Sequence, residues 1–460
     1  MAPQQQLKVG APSGTHLPLE PRTFPPQRAF RHPAAFSPFE PNGGNDLRTI
    51  RVALAGCGVV GGGFVRLLHE SGSAIASRFG VHFSLSRVLV RDLARERNVP
   101  LDSHLFTNDL DSFLAEDADV VIEAVGGNEP ARTIGATTLA RGKKFITANK
   151  ELVASHGDIL SGLARDNETA LDFGAAVGGS APVISTLRDL VGASTPLSVR
   201  GILNGTSNYV ISQLERGVSF ESAIESACLR GLAESDCTRD LDGSDLAAKL
   251  AIVGWIAYGI QPGALIVRRT SLLPGLEQLV RFAALAGGRV RFIGECTQLG
   301  GHRVAAAVEP VVFAPDSAFA RTVLEENRVE VDLGWTSPLS VSGPGAGAAP
   351  TAAAILSDLL RDSRPPNDRG RVAAQFISSP DTRKHRWLVA GRLSVSALRS
   401  AAETLGLGTD PVGTDREHAC VITRAASSDQ VQALLNALNS FDAVPCLARY
   451  DLAETQEALQ

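Results

Sequence analysis

The fold is decided by one short stretch of sequence, Ile50-Arg51-Val52-Ala53-Leu54-Ala55-Gly56-Cys57-Gly58-Val59-Val60-Gly61. Its first six residues are mostly apolar and predict a buried strand, and the apolar-periodic run after Gly61 predicts a helix. A Gly-x-Gly-x-x-Gly turn between a strand and a helix is typical of dinucleotide-binding folds; a purely structural tight turn is the alternative. Gly56 permits the turn, Gly58 lets the backbone approach a pyrophosphate, and Gly61 allows the helix to lie close to the strand.

Strand-like and helical segments alternate beyond this turn. Residues 86–90, 120–125 and 144–147 have the composition of further strands, and helical stretches separate them. Such alternation predicts a parallel sheet with crossover helices. We therefore expect an α/β fold with a Rossmann-type nucleotide-binding domain over residues 49–190.

The pattern changes after residue 190. Strand-like runs at 198–203 and 304–312 accompany long helical stretches, which predicts an α+β substrate-binding and dimerisation domain over 191–340. We expect residues 341–362 to return to the nucleotide domain.

Three further segments complete the predicted organisation. Pro365 and Pro366 mark a linker over 363–372, and two strand-helix-strand units predict a ferredoxin-like regulatory domain over 373–460. Residues 1–48 carry nine of the 25 prolines and no periodicity, which predicts a disordered tail.

Composition excludes several classes of protein. The chain carries 44 basic and 49 acidic residues, a net charge of −5, which argues against a nucleic-acid-coating protein. It has no charge-free run of about 18 apolar residues, so we expect no membrane span. Its six cysteines form no Cys-x-x-Cys pair and no secretory signal is evident, which predicts free thiols in a cytoplasmic protein.

The cofactor preference depends on the residues that follow the second strand. Arg91 could hold the 2′-phosphate of NADP, whereas Asp92 could bind the ribose hydroxyl of NAD. We favour NADP because Arg91 comes first and a guanidinium suits phosphate. Gly126 and Gly127 follow a later strand, at the edge of the sheet where ligands bind.

Two lysines stand out because only six of the 44 basic residues are lysine. Lys150 follows a strand at the expected crevice edge, where it could face substrate. Asp245 and Lys249 are four residues apart on a predicted helix and share one face. An exposed ion pair is the alternative, but apolar neighbours predict partial burial of Lys249, and a desolvated lysine can exchange a proton where an arginine cannot.

Together these motifs resemble the homoserine dehydrogenase family, in its longer bacterial form with a C-terminal ACT-like domain. The similarity runs in family order from residue 49 to about residue 360 and is most specific at Asn204-Gly205-Thr206-Ser207-Asn208-Tyr209 and at 234–249. The resemblance implies reversible interconversion of L-homoserine and L-aspartate 4-semialdehyde in threonine and methionine biosynthesis, with NADP or NAD as cofactor.

The resemblance also implies roles for individual residues. Lys150 and Lys249 belong to the active site, where one of them exchanges a proton with the reacting hydroxyl, and Asp245 lies beside that hydroxyl. Glu234 holds the substrate amino group, and Asp240 lies in the same polar cluster. The implied pocket and cofactor residues are Gly205, Thr206, Gly56, Gly58, Val59, Val60, Gly61, Arg91, Gly126, Gly127, Lys150 and Gly345.

Some positions depart from the family pattern. The family usually has a glutamate near a bound monovalent cation, and Gly174 occupies that position here. The other contacts would be backbone carbonyls around Val177 and Gly179, so at most a weakened cation site is expected. The C-terminal part lacks the usual Pro-Gly turn near Gly391, which leaves an amino-acid effector as an open expectation. The resemblance further implies a homo-oligomer.

Two other hypotheses remain open at the level of sequence. One is a regulatory protein of the same fold that binds nucleotide or amino acid and has lost catalysis. The other is a Rossmann reductase that acts on a different amino-acid semialdehyde. Retention of Lys150, Glu234, Asp245 and Lys249 favours the enzyme.

Overall fold

The computed structural model describes residues 47–192, 194–233, 236–273, 275–345, 347–361, 376–415, 417–439 and 445–451. The predicted linker at 363–372 lies outside these residues, as does the predicted tail apart from Leu47 and Arg48. Arg48 already belongs to the first strand, which therefore starts just before the predicted boundary at residue 49.

The first sheet is built, in the described ranges, from parallel strands β1 (Arg48–Ala55), β2 (Val81–Leu89), β3 (Phe106–Thr107), β4 (Val120–Glu123), β5 (Lys144–Thr147) and β6 (Leu171–Asp172). Their order across the sheet is β3-β2-β1-β4-β5-β6. This doubly wound order confirms the Rossmann-type prediction. The order reverses between β1 and β4, so the ligand crevice opens beyond the carboxyl ends of these two strands.

The helices of the described residues are α1 (Val59–Phe79), α2 (Leu110–Leu114), α3 (Ala131–Ala140), α4 (Lys150–Asp166), α5 (Val183–Leu190), α6 (Gly205–Leu214), α7 (Phe220–Leu229), α8 (Thr238–Leu241), α9 (Ser244–Tyr258), α10 (Leu276–Leu285), α11 (Ala318–Arg321), α12 (Ala348–Leu360), α13 (Val395–Thr404) and α14 (Ser428–Asn439). Over this part of the chain, no helix combines the length and apolar character that a bilayer crossing needs.

The second sheet joins strands β7 (Ser198–Ile202), β8 (Val267–Arg269), β9 (Arg289–Gln298), β10 (Arg303–Phe313), β11 (Glu326–Asp332), β12 (Leu339–Pro344), β13 (Ile377–Ser378), β14 (Arg386–Gly391), β15 (Thr409–Thr414), β16 (Ala419–Thr423) and β17 (Cys446–Asp451). Its main path runs β12-β11-β7-β9-β10-β17-β14-β16-β15, and the short strands β8 and β13 also pair with β10.

Both faces of the first sheet are covered by helices. Successive residues of β1 alternate between two buried clusters, so the clusters lie on opposite faces. One cluster contains α1 together with Ala352 and Ile355 of α12, and the other contains α3 and α4. Helix α12 therefore packs against the first sheet, and it begins after Pro344, because residues 339–344 still form strand β12.

The C-terminal unit runs β14-α13-β15-β16-α14-β17. Its four strands lie in the order β17-β14-β16-β15 and are antiparallel, which is the topology expected of a ferredoxin-like unit. Strand β15 was not predicted from the sequence, because Pro411 and a register shift before Gly413 interrupt the alternation of apolar and polar residues that is typical of a strand. The assignment of this unit as an ACT-type regulatory domain stays a prediction.

A parallel pairing of β10 with β17 fuses this unit to the rest of the second sheet, with Val311 opposite Arg449. Arg449 is only 4% exposed. Its guanidinium lies 2.6 Å from Glu295 Oε2 and 3.0 Å from Glu309 Oε1. Burial raises the pKa of Glu295, but the charges of Arg449 and Arg200 and the hydrogen bonds from Thr297 and Arg449 together outweigh burial and hold it well below its usual range. The last strand thus neutralises two buried carboxylates.

We expect Arg449→Met to destabilise the protein by about 3 kcal/mol at pH 7, because it removes the buried cation that Glu295 and Glu309 share. Each carboxylate then keeps only a more exposed arginine, Arg383 for Glu295 and Arg268 for Glu309. Loss of the Arg449 charge raises the pKa of Glu295, so the loss of stability should shrink as the pH falls and Glu295 becomes protonated. Denaturant unfolding measures both effects. Arg392→Met is the control, since its ion pair with Glu417 is exposed; equal losses in the two variants would contradict the account.

Candidate active site

The glycine turn after β1 forms the floor of the crevice. Gly56 has φ +93°, and a Cβ there would meet the carbonyl oxygen of Ala124 at 2.5 Å. A Cβ at Gly61 would lie 1.9 Å from the oxygen of Gly56, so α1 could not lie this close to the turn if any residue other than glycine stood at position 61. Above Gly58 there is open space. No side chain caps α1 and its first turn carries no acidic residue, which leaves its N–H groups free for an anion.

Glu123 organises the second glycine turn. This buried residue ends β4, and its Oε1 accepts hydrogen bonds from the backbone N–H groups of Val125 at 2.7 Å and Gly126 at 3.1 Å. Its Oε2 accepts a hydrogen bond from the Thr147 hydroxyl at 2.5 Å. Burial raises the pKa of Glu123, and these three donors oppose that shift. This role of Glu123 was not predicted from the sequence. The feature that could have indicated it is a glutamate at the end of an otherwise apolar strand.

The same network places Lys150 at the crevice. The side-chain nitrogen of Asn149 donates to the carbonyl of Gly127 at 2.5 Å. Its oxygen caps α4 by accepting from Glu151 N and Leu152 N. Lys150 is the first residue of α4, so the strand ends, the Gly126-Gly127 turn and this lysine are held together.

Two lysines converge on Asp245. Lys150 Nζ lies 3.0 Å from Asp245 Oδ1, and Lys249 Nζ lies 2.8 Å from Asp245 Oδ2. Lys249 also donates to the carbonyl of Leu203 at 2.7 Å. The helical-face prediction for Asp245 and Lys249 is therefore confirmed, and the exposed-pair alternative is wrong, since these side chains are only 10% and 14% exposed.

Electrostatics keeps Asp245 ionised. Burial by itself raises the pKa of this carboxyl, but Lys249 and Lys150 together outweigh burial and hold it well below its usual range. Asp240 differs, because burial dominates and its pKa is raised. The cluster thus has a permanent anion at Asp245 and a carboxyl at Asp240 that is closer to protonation.

Asn204 links the two carboxylates. Its Nδ2 lies 2.7 Å from Asp240 Oδ1 and 2.9 Å from Asp245 Oδ2. Its Oδ1 accepts from Ser207 N and caps α6. Asn204 belongs to the family-specific motif at 204–209, but its role is not evident from the sequence, because its partners Asp240 and Asp245 lie 36 and 41 residues away.

Two of the other predicted site residues, Gly205 and Gly345, meet at the carbonyl of Glu325. A Cβ at Gly205 would lie 3.1 Å from that oxygen, and Gly345 N donates to it at 2.9 Å. The Thr206 hydroxyl donates to the carbonyl of Leu232 at 2.6 Å. Gly205 and Gly345 therefore adjoin the same carbonyl, whereas Glu234 lies outside the described residues.

Comparison with known proteins decides the family. Residues 182–360 match the family model for homoserine dehydrogenase, and residues 56–173 match the model for its NAD binding domain. A homoserine dehydrogenase of Mycobacterium tuberculosis is 35% identical over 325 residues, which are 69% of this chain and 73% of that protein. The chain belongs to the homoserine dehydrogenase family.

Solved structures of homoserine dehydrogenases agree. The enzyme from Thiobacillus denitrificans is 27% identical, with a TM-score of 0.77 over 88% of this chain and 98% of that chain. A hyperthermophilic archaeal homoserine dehydrogenase in complex with NADPH, at 19% identity and a TM-score of 0.57 over 68% of this chain and 97% of that one, supports the fold alone. As a family member this chain is an NAD(P)-dependent oxidoreductase, and no comparison favours the regulatory alternative.

The family resemblance associates a bound cation with the loop around Val177 and Gly179. The carbonyls of Val177 and Gly179 accept no hydrogen bond from any described residue. Gly174 N donates to Asp358 Oδ2 at 2.7 Å, and a Cβ at Gly174 would lie 2.8 Å from Asp358 Oδ1. Burial and the neighbouring Asp172 raise the pKa of Asp358 to about 6. The carbonyls of Val177 and Gly179 therefore fit a cation site made of backbone oxygens. The carboxylate of Asp358 occupies the space in which the side chain of the usual family glutamate would start from position 174.

We expect Glu123→Ala to weaken NADPH binding about tenfold, because the turn at Val125 and Gly126 loses its shared acceptor. The measurement is a fluorescence titration with NADPH. The exposed Glu403→Ala should bind like the unaltered protein. Equal affinities in both variants would remove Glu123 from the organisation of the cofactor turn.

Proposed function

We propose that the chain interconverts L-homoserine and L-aspartate 4-semialdehyde, with the hydride carried by a nicotinamide cofactor when it is bound. The observation that carries the proposal is the convergence of Lys150 and Lys249 on Asp245, next to the glycine turns. An alcohol that becomes an aldehyde must lose a proton from its oxygen, and a neutral amine held within reach can take that proton. In the reverse direction the resulting ammonium group returns the proton to the oxygen.

The geometry divides the work between the two lysines. Lys249 is held by Asp245 and by the carbonyl of Leu203, which directs its remaining N–H. We assign Lys249 to proton exchange with the substrate hydroxyl. Lys150 comes directly after Asn149, which is hydrogen-bonded to the turn at Gly127. We assign Lys150 to stabilising the negative charge that develops on the substrate oxygen near the cofactor. Asp245 keeps both lysine Nζ atoms in place.

The acidic cluster and the start of α6 suit the amino-acid part of the substrate. Asp240, together with Glu234, would neutralise the ammonium group. The first N–H groups of α6, at Gly205 and Thr206, would face the carboxylate. Between these ends, the side chain of homoserine would bring its hydroxyl to the lysines.

The first test is formation of NADPH from NADP⁺ and L-homoserine by the purified protein. Lys249→Arg keeps the charge but cannot exchange a proton, so turnover should fall about 100-fold or more. Lys384→Arg, at an exposed position, should match the unaltered protein. Cofactor binding without any homoserine-dependent turnover would reject the proposal and favour the regulatory alternative.

Cofactor preference forms a second part of the proposal. Asp92 Oδ1 accepts from Ala94 N at 2.8 Å, which engages the carboxylate that NAD would need. The exposed guanidinium of Arg91 makes no hydrogen bond or ion pair to the described part of the chain. We therefore propose NADP as the preferred cofactor, with Arg91 at its 2′-phosphate.

We expect Arg91→Ala to raise the KM for NADP⁺ about tenfold, because a charge-assisted contact to phosphate is lost. The KM for NAD⁺, which lacks that phosphate, should not rise. Steady-state kinetics with each cofactor measures both values. A proportionate increase for the two cofactors would remove Arg91 from phosphate recognition.

The remaining proposals are coarser. We propose a monovalent cation at the carbonyls of Val177 and Gly179, a homo-oligomeric and cytoplasmic enzyme, and the sequence-based division into nucleotide, substrate and C-terminal domains. Described cysteines that are all free thiols support a reducing compartment. We also propose an amino-acid effector at the C-terminal unit. The strands of that unit belong to the same sheet as β7, β9 and β10, so an effector bound there would contact a sheet shared with the substrate-binding part.

A further inference from the structure

We propose that Asn204 is a positioning residue, whose amide fixes the relative orientation of Asp240 and Asp245 and so sets both substrate binding and lysine geometry. The inference rests on the proposed function, because it concerns the same cluster. The role goes beyond capping α6, because a cap needs only the side-chain oxygen of Asn204.

The orientation of the Asn204 amide is determined by its surroundings. Oδ1 lies 2.8 Å from Ser207 N, a group that can only donate. The other end of the amide must therefore be the NH₂ group. That group faces Asp240 Oδ1 at 2.7 Å and Asp245 Oδ2 at 2.9 Å, so each carboxylate can receive one of its two hydrogens.

The two hydrogen bonds have different consequences. At Asp245, Oδ2 accepts from both Asn204 and Lys249, which leaves Oδ1 for Lys150. Loss of the amide would free this carboxylate to rotate between its two lysines. At Asp240, Asn204 is the sole hydrogen-bond donor among the described residues, and the second oxygen stays available for a substrate ammonium group.

The amide also reduces the repulsion between Asp240 and Asp245. Two carboxylates that meet at one donor repel each other, and burial already raises the pKa of Asp240. A neutral NH₂ group bridges them without adding charge. A carboxyl in the place of Asn204 would put three acids together, so at least one of them would hold a proton up to an unusually high pH.

Two variants separate positioning from capping. Serine and aspartate are both good helix caps. Asn204→Ser keeps a cap oxygen and removes the NH₂ donor, and kcat/KM for homoserine should fall about 10- to 100-fold, with a higher KM and a lower kcat. NADPH affinity should stay unchanged. Asn204→Asp keeps cap and shape but supplies a donor only while its carboxyl is protonated.

The aspartate variant therefore gives a signature that a structural role would not produce. Its kcat/KM, relative to the unaltered protein, should be highest at low pH and fall as the pH rises through the raised pKa of the added carboxyl. Its melting temperature should fall over the same range, since the folded state binds that proton more tightly than the unfolded state. Asn436→Asp, exposed on α14, is the control and should show neither trend.

The outcomes distinguish this inference from the proposed function. Absence of turnover in the unaltered protein rejects the proposed function, while the melting curves of Asn204→Asp still report whether the residue bridges two carboxylates. Normal kcat/KM in Asn204→Ser overturns the positioning role even when the enzyme is active. A flat pH dependence of both activity and melting temperature in Asn204→Asp likewise overturns it.

Discussion

One buried carboxylate holds the site together. Asp245 receives an ammonium group on each of its oxygens, from Lys150 at the start of α4 and from Lys249 one turn along its own helix α9. Charges in a poorly solvated place are costly unless they are paired and hydrogen-bonded. Because the pair of Lys150 with Asp245 joins α4 to α9, the same contacts that stabilise these charges also bring the two lysine Nζ atoms together beside the cofactor turns.

The surrounding fold restricts how far these groups can move. The end of β4 and the start of α4 are tied together through Glu123, Thr147 and Asn149. Helix α12 adds a late segment of chain to the buried cluster of α1. The second sheet continues into the C-terminal unit, where Arg449 neutralises carboxylates of β9 and β10. Catalytic geometry therefore depends on contacts between segments that are distant in sequence.

That distance explains what could be predicted. The glycine turn, the parallel strand pattern and the i,i+4 pair of Asp245 and Lys249 are local features, so sequence alone supplied them. Asn204 and Glu123 act through partners that only the folded chain brings near. The pairing of β10 with β17, and the return of α12 beginning after Pro344, are also long-range.

In the proposed mechanism, the lysine pair around Asp245 meets the reacting oxygen of the substrate. A crystal structure of the protein with NADP⁺ and L-homoserine would show where that oxygen binds. We predict the homoserine hydroxyl within hydrogen-bond distance, about 2.6–3.2 Å, of Lys249 Nζ, with Asp245 still between the two lysines. Homoserine bound with its ammonium group at the lysine pair and its hydroxyl pointing away would contradict the account.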